Sequence, residues 1–122
     1  VVDDLVLDDI SVIANVRDKG LVHRAEYFVL ALVNIATQAI EVADCNKIEG
    51  IIGGLHLVDA SDTVIRRTVE ELSKLNVAWI NLTHCTGFKA QVELYLAMGD
   101  GFSPLHTGMQ FELAPTGRRL GL

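Results

Sequence analysis

The stretch Trp79-Ile80-Asn81-Leu82-Thr83-His84-Cys85-Thr86-Gly87 constrains this chain more than any other. A short apolar segment, right for one buried strand, gives way at once to a histidine, a thiol, a hydroxyl and a glycine. A helix-forming run, Phe88 to Met98, follows directly. In open α/β sheets, ligands bind just beyond the carboxyl ends of the strands, where such polar groups emerge. An earlier stretch, Gly50-Ile51-Ile52-Gly53-Gly54-Leu55-His56-Leu57, has the same grammar of apolar strand, glycine turn and histidine. The functional question is whether His56 and His84 meet at one sheet edge.

Composition narrows the answer. With 122 residues, half of them hydrophobic, the chain can bury one core and form one domain. Only 6% are aromatic, so that core must be built from Val, Ile, Leu and Ala. A net charge of −6 argues against a nucleic-acid partner, because phosphate neutralisation needs clustered cations. Arg118-Arg119 is the one dense basic spot and reads as a solvated tail. The longest apolar run, Tyr27 to Val33, falls short of the ~20 residues of a membrane span, and no basic-then-apolar leader is visible. No membrane partner is expected, and Cys45 and Cys85 read as reduced thiols of a cytoplasmic protein.

Taken in order, residues 1–9 form an acidic lead-in whose aspartates lack the ligand spacing and turn glycine of a calcium loop. Ile10 to Val16 alternates and predicts a strand with one better-buried face; Asp18-Lys19-Gly20 turns it into a second strand from Leu21. The spacing of Val33, Ala36, Ile40 and Ala43 predicts a helix over 33–43. Lys47 to Ile52 is a strand. Ser61 or Asp59 caps a helix over 62–75, and Asn76 suits a left-handed helix exit. Val77 to Leu82 is the next strand, and Phe88 to Met98 the last helix. Phe102 to His106 and Met109 to Leu113 are short strands around Thr107-Gly108, and residues 114–122 are a tail. The order β-β-α-β-α-β-α-β-β over 10–113 points to an α/β sandwich in a single unit.

Each candidate residue has a chemical and a plain reading. His84 is a metal ligand or catalytic base, or else a buried histidine bonded to a carbonyl. Thr86 and Gly87 open a helix whose free N–H groups could seat an anion such as phosphate, or Thr86 is simply the cap. Cys85 is part of that anion or substrate wall, or a small buried residue; with no Cys-x-x-Cys pair, a zinc ribbon is excluded. His56 could share a zinc-type ion with His84, or be a turn histidine. Asp59 could orient His56 from outside the ligand set, though capping explains it equally. His23 and His106 are weaker candidates. Gly50-x-x-Gly53-Gly54 lacks the spacing of a dinucleotide fingerprint.

The order Gly53-Gly54-Leu55-His56-Leu57, capped helix, Leu82-Thr83-His84-Cys85-Thr86-Gly87 resembles the C-terminal half of the metallo-β-lactamase superfamily. It is most similar to the branch containing the dihydropterin-condensing synthase of methanopterin biosynthesis, which shows Gly-Gly-Phe-His-Leu, then an apolar strand and His-Cys-Thr-Gly. Lys19-Gly20-Leu21-Val22 and Val2-Asp3-Asp4-Leu5 fit its strand pair. The resemblance implies half of a four-layer α/β/β/α sandwich with a one- or two-metal site between the sheets. Zinc is the first expectation, with iron or manganese as alternatives, and the metal need not be held by this chain alone. His84 matches the late metal-site histidine of that family, and His56 the histidine of the Gly-Gly-Phe-His element.

Two departures stand out. The first metal motif, His-x-His-x-Asp-His, belongs to an N-terminal half that these residues do not include. Between Gly20-Leu21-Val22 and Val33-Asn34, the family's Thr-Gly-Cys-Ser-His-Ala-Gly is replaced by His23-Arg24-Ala25-Glu26-Tyr27-Phe28-Val29-Leu30-Ala31-Leu32. The length is kept and the motif is lost, which is the trace a local reading-frame fault would leave. The resemblance thus implies the C-terminal part of a metal-dependent hydrolase or pterin-condensing enzyme, inactive without its N-terminal half. Its partners would be that half or a second copy, and its substrate a small phosphorylated or pterin-like molecule. The alternative is a non-catalytic α/β binding or assembly module with a degenerate metal site.

Overall fold

The computed structural model describes residues 11–26, 29–114 and 117–121, and the side-chain surroundings of residues 11–24 and 33–113. The acidic lead-in 1–9 and most of the divergent interval 23–32 lie outside those side-chain surroundings. Seven strands and three helices are described: β1 (Val12–Val16), β2 (Gly20–Glu26), α1 (Val29–Ala43), β3 (Ile48–Gly54), α2 (Asp62–Lys74), β4 (Trp79–Leu82), α3 (Phe88–Met98), β5 (Phe102–Pro104), β6 (Gln110–Ala114) and β7 (Gly117–Gly121). Single 3₁₀ turns, His84–Thr86 and Gly99–Gly101, flank α3.

Five strands form one sheet in the order β1-β2-β3-β4-β5. The first pair is an antiparallel hairpin with Val12 opposite Arg24, and every later pair is parallel. Strands added successively on one side by same-handed crossovers place their helices on one face. The core follows that rule: Ala36 of α1, Ile65 and Leu72 of α2, and Ala90 and Leu94 of α3 share a buried cluster with Ile51, Ile80, Leu82 and Phe102 of the sheet. Ile80 lies between Ile51 and Phe102 in register, so one apolar row crosses three strands beneath the helices.

Local chemistry explains the element ends. Ser61 is the N-cap of α2, and its hydroxyl accepts from the Val64 N–H at 3.4 Å. Thr68 and Ser73 of the same helix return their hydroxyls to carbonyls four residues back. Asn76 takes the left-handed conformation, φ 50°, just past the helix end.

Opposite the helices lies the other face of the sheet. Gly50 is in register with Trp79, and a Cβ on Gly50 would lie 2.2 Å from the indole ring. Glycine there leaves room for the ring to lie across β3. Phe111 of β6 stacks on that indole, with centroids 5.9 Å apart and planes 12° apart.

Three expectations are corrected. Residues 114–122 are not a plain tail, because Gly117–Gly121 pairs antiparallel with Gln110–Ala114 as a separate two-stranded sheet. The two late strands expected around Thr107-Gly108 are present in different sheets: β5 joins the main sheet beside β4, and β6 pairs with β7. β1 does not bury one face. Its first four residues are all exposed, Val12 and Ile13 included, because it is the edge strand of the sheet. In addition, α1 begins at Val29 rather than Val33.

Candidate functional site at the strand ends

Parallel pairing aligns the carboxyl ends of β2, β3, β4 and β5, and a cleft opens there. It measures about 310 Å3 and is lined by Arg24, Ile52, Gly53, Thr83, His84, Leu105, His106 and Thr107. The ladder continues past the strand ends and fixes these residues. Thr83 N–H donates to the Gly53 carbonyl at 2.7 Å, and Leu105 N–H to the Leu82 carbonyl at 2.8 Å. Thr83 and His84 thus leave β4 beside Gly53, and Leu105 and His106 leave β5 beside them.

His84 is exposed and opens the 3₁₀ turn His84–Thr86. That turn closes on itself: Thr86 N–H donates to the Thr83 carbonyl at 3.1 Å, and Gly87 N–H to the His84 carbonyl at 3.0 Å. The imidazole is therefore carried on a short, internally bonded turn, a firmer mount than an open loop.

His56 and Asp59 are both exposed on the loop after β3, and neither lines the cleft. His56 holds φ 47°, unusual for a residue with a Cβ. His106, a weak candidate from sequence, shares the cleft with His84. Its neighbour Thr107 and the distant Arg24 complete a rim rich in hydrogen-bond donors. Only the register of β2 against β3, which sets Arg24 opposite Ile52, brings Arg24 here. That pairing is long-range and leaves no local sequence signal.

Thr86 and Gly87 have structural tasks. Thr86 is fully buried, and its hydroxyl accepts from the Leu55 N–H at 3.3 Å. Thr86 does not cap α3; Gly87 does, with no side-chain hydrogen bond. Gly87 has φ 81°, and a Cβ there would lie 2.6 Å from the Val58 Cα. The amides expected to greet an anion at residues 86 and 87 are already used within the turn. Cys85 is a free thiol 3.1 Å from the Thr83 hydroxyl, packed where a Cβ on Gly54 would fall. Cys45 is also free.

His23 is a titratable side chain buried in β2 outside the cleft lining. It is 1% exposed, and neither ring nitrogen has a hydrogen-bond partner among the described residues. Burial pushes its pKa below the ordinary histidine value of 6.5.

Among the described residues, no group of three or more His, Cys, Asp or Glu side chains is arranged to hold a metal ion. Nor is any helix among them long and apolar enough to cross a membrane.

No protein-family model matches the chain. Over 108 residues it is 37% identical to a 7,8-dihydropterin-6-methyl-4-(β-D-ribofuranosyl)-aminobenzene-5′-phosphate synthase of Methanocaldococcus jannaschii, an alignment covering 88% of this chain and 36% of the synthase. It is 43% identical over 49 residues to an uncharacterized protein of the same organism, covering 40% of this chain and 19% of that protein. The fold matches a crystal structure described as a metal-dependent hydrolase of the β-lactamase superfamily. That match has a TM-score of 0.66 and 24% identity over 85% of this chain and 40% of the other. The chain thus spans well under half the length of each of these relatives.

Proposed function

We propose, from the premise that this chain is a relative of the metallo-β-lactamase superfamily in its dihydropterin-condensing branch, that its strand-end cleft forms one wall of a metal-dependent active site. The supporting observation is the position of His84. It leaves β4 into the cleft within Thr83-His84-Cys85-Thr86-Gly87, on the segment aligned with the synthase.

The chain's own donor set does not make a complete metal centre. Zinc-type sites take three or four protein ligands, and the described residues bring His84 and His106 to the cleft with no third His, Cys, Asp or Glu grouped to join them. No reaction step is therefore assigned through a metal on this chain. In our reading His84 is one ligand of a divalent ion, and the remaining ligands come from an N-terminal half. His56 and Asp59 lie at the outer edge of that assembly.

What the chain contributes itself is recognition. Arg24 offers a planar, charge-bearing donor set suited to a phosphate or carboxylate. Thr83 and Thr107 add hydroxyls, and His106 adds a second imidazole on the same rim. A small anionic substrate, phosphorylated or pterin-like, fits that chemistry and the cleft's size of about 310 Å3. The exposed Val12 of β1 shares the face of Trp79, opposite the helices, where a second sheet would cover the first. A non-catalytic assembly module is the second reading, favoured by the incomplete donor set.

The experiment is to read the gene upstream of Val1 for His-x-His-x-Asp-His and to co-express that segment with this chain. Metal retention and turnover of a phosphorylated dihydropterin by the pair support the enzyme reading. A reading frame without that motif, and a metal-free protein, support the module.

A further inference from the structure

Helix α3 carries an apolar stripe on its outer side. Phe88 is 83% exposed, Leu96 73% and Tyr95 56%, and Val92 is also exposed. They are spaced four, three and one apart, so they form a single seam along the helix. Val58, 64% exposed, continues the seam past Phe88, because its backbone packs against Gly87. The opposite side of the same helix, Ala90 and Leu94, is buried in the core. The seam exposes on the order of 600 Å2 of side-chain surface, at the top of what monomeric proteins leave in water.

We propose that this seam is a twofold interface on which α3 packs antiparallel against α3 of a second copy of this chain. Charge complementarity selects that occupant. Lys89 and Glu93 lie one turn apart on the same flank of the stripe. A twofold axis between Gln91 and Val92 brings Lys89 of each copy within about one residue of Glu93 of the other, and Phe88 within about one residue of Leu96, so the charges are self-complementary. Lys89 also reaches Asp62 within its own chain, and its side chain stays 60% exposed. Two such seams bury roughly 1,200 Å2, the lower bound of a specific interface. A second sheet packed on the far side of the main sheet leaves the seam uncovered, because all three helices lie on one face.

The test is sedimentation equilibrium of the purified protein, with and without Leu96→Glu, Lys89→Glu, and Lys89→Glu/Glu93→Lys. The wild type is expected at twice the chain mass at tens of micromolar. Leu96→Glu should weaken association at least tenfold. Lys89→Glu should weaken it, and the double charge swap should restore it. Leu96 is exposed, so its variant keeps the helical circular dichroism of the wild type. A wild-type monomer overturns the proposal. So does a dimer indifferent to Leu96→Glu, which would place the contact elsewhere, and so does a charge swap that fails to restore association.

Discussion

The Leu55 N–H donates to the Thr86 hydroxyl across 3.3 Å, joining the exit of β3 to the exit of β4 in a fully buried position. This bond sets the spacing between the two loops that leave the sheet beside the cleft, and so the place from which His84 projects. Thr86 thus acts on the site through architecture.

A first expectation follows from that bond. Thr86→Val keeps the shape but leaves the Leu55 N–H buried without a partner, at a cost of about 1–3 kcal/mol. Thr86→Ser keeps the acceptor and should cost less, through lost methyl packing alone. Urea denaturation of both variants checks the order; equal losses would mean the hydroxyl does not matter.

A second concerns Gly50 and Trp79. A methyl at residue 50 meets the indole, so Gly50→Ala must displace the ring and break its stacking on Phe111. Overpacking of this kind costs about 1–3 kcal/mol. Trp79 is the single tryptophan, so its fluorescence reports the event directly. Emission should shift to the red as the nearly buried ring gains water. An unchanged spectrum would refute the packing account.

His23 makes stability depend on pH. Burial lowers its folded-state pKa, so below about pH 6.5 the unfolded chain binds a proton that the folded chain resists. Stability is full above pH 6.5. It then falls as pH drops through and below the unfolded value, by up to about 1.4 kcal/mol per pH unit. His23→Leu removes both unpartnered ring nitrogens and should abolish this dependence while stabilising the fold at every pH. Thermal melts at pH 5 and pH 7.5 measure it; a variant as pH-sensitive as the wild type would contradict the assignment.

The same residue bears on the divergent interval. His23 stands in register with Ile51, beside the buried Leu21 and Val22, and it opens the stretch where the family motif is lost. A buried histidine whose ring nitrogens find no partner among the described residues is what a shifted reading frame would leave in a core strand. Resequencing the gene across codons 23–32 decides between the two accounts: a Cys-Ser-His element there would replace the His23 segment and its pH dependence. A confirmed His23 to Leu32 would remove the idea.

What the sequence made legible was local. The strand at Trp79–Leu82, the helices at Asp62–Lys74 and Phe88–Met98, the Ser61 cap and the Asn76 exit each follow from neighbours within a few residues. What stayed hidden was long-range. The Thr86 hydroxyl finds its donor 31 residues away, so a helix cap was the natural local reading. Arg118-Arg119 made β7 look like solvated tail, because an edge hairpin needs no apolar run on both faces. His106 joins His84 only because β5 adds to β4 in parallel. The start of α1 was obscured because Val29 to Val33 is apolar throughout and shows no helical period.

The central claim is that His84 belongs to a metal-dependent site completed by sequence outside this chain. The most direct measurement is the metal content of the purified protein together with its upstream half, by elemental mass spectrometry, for the wild type and His84→Ala. The account predicts one or two divalent ions per assembly in the wild type, and at least tenfold weaker retention in His84→Ala with the fold unchanged. No bound metal in the wild type, or equal metal in the variant, would contradict it.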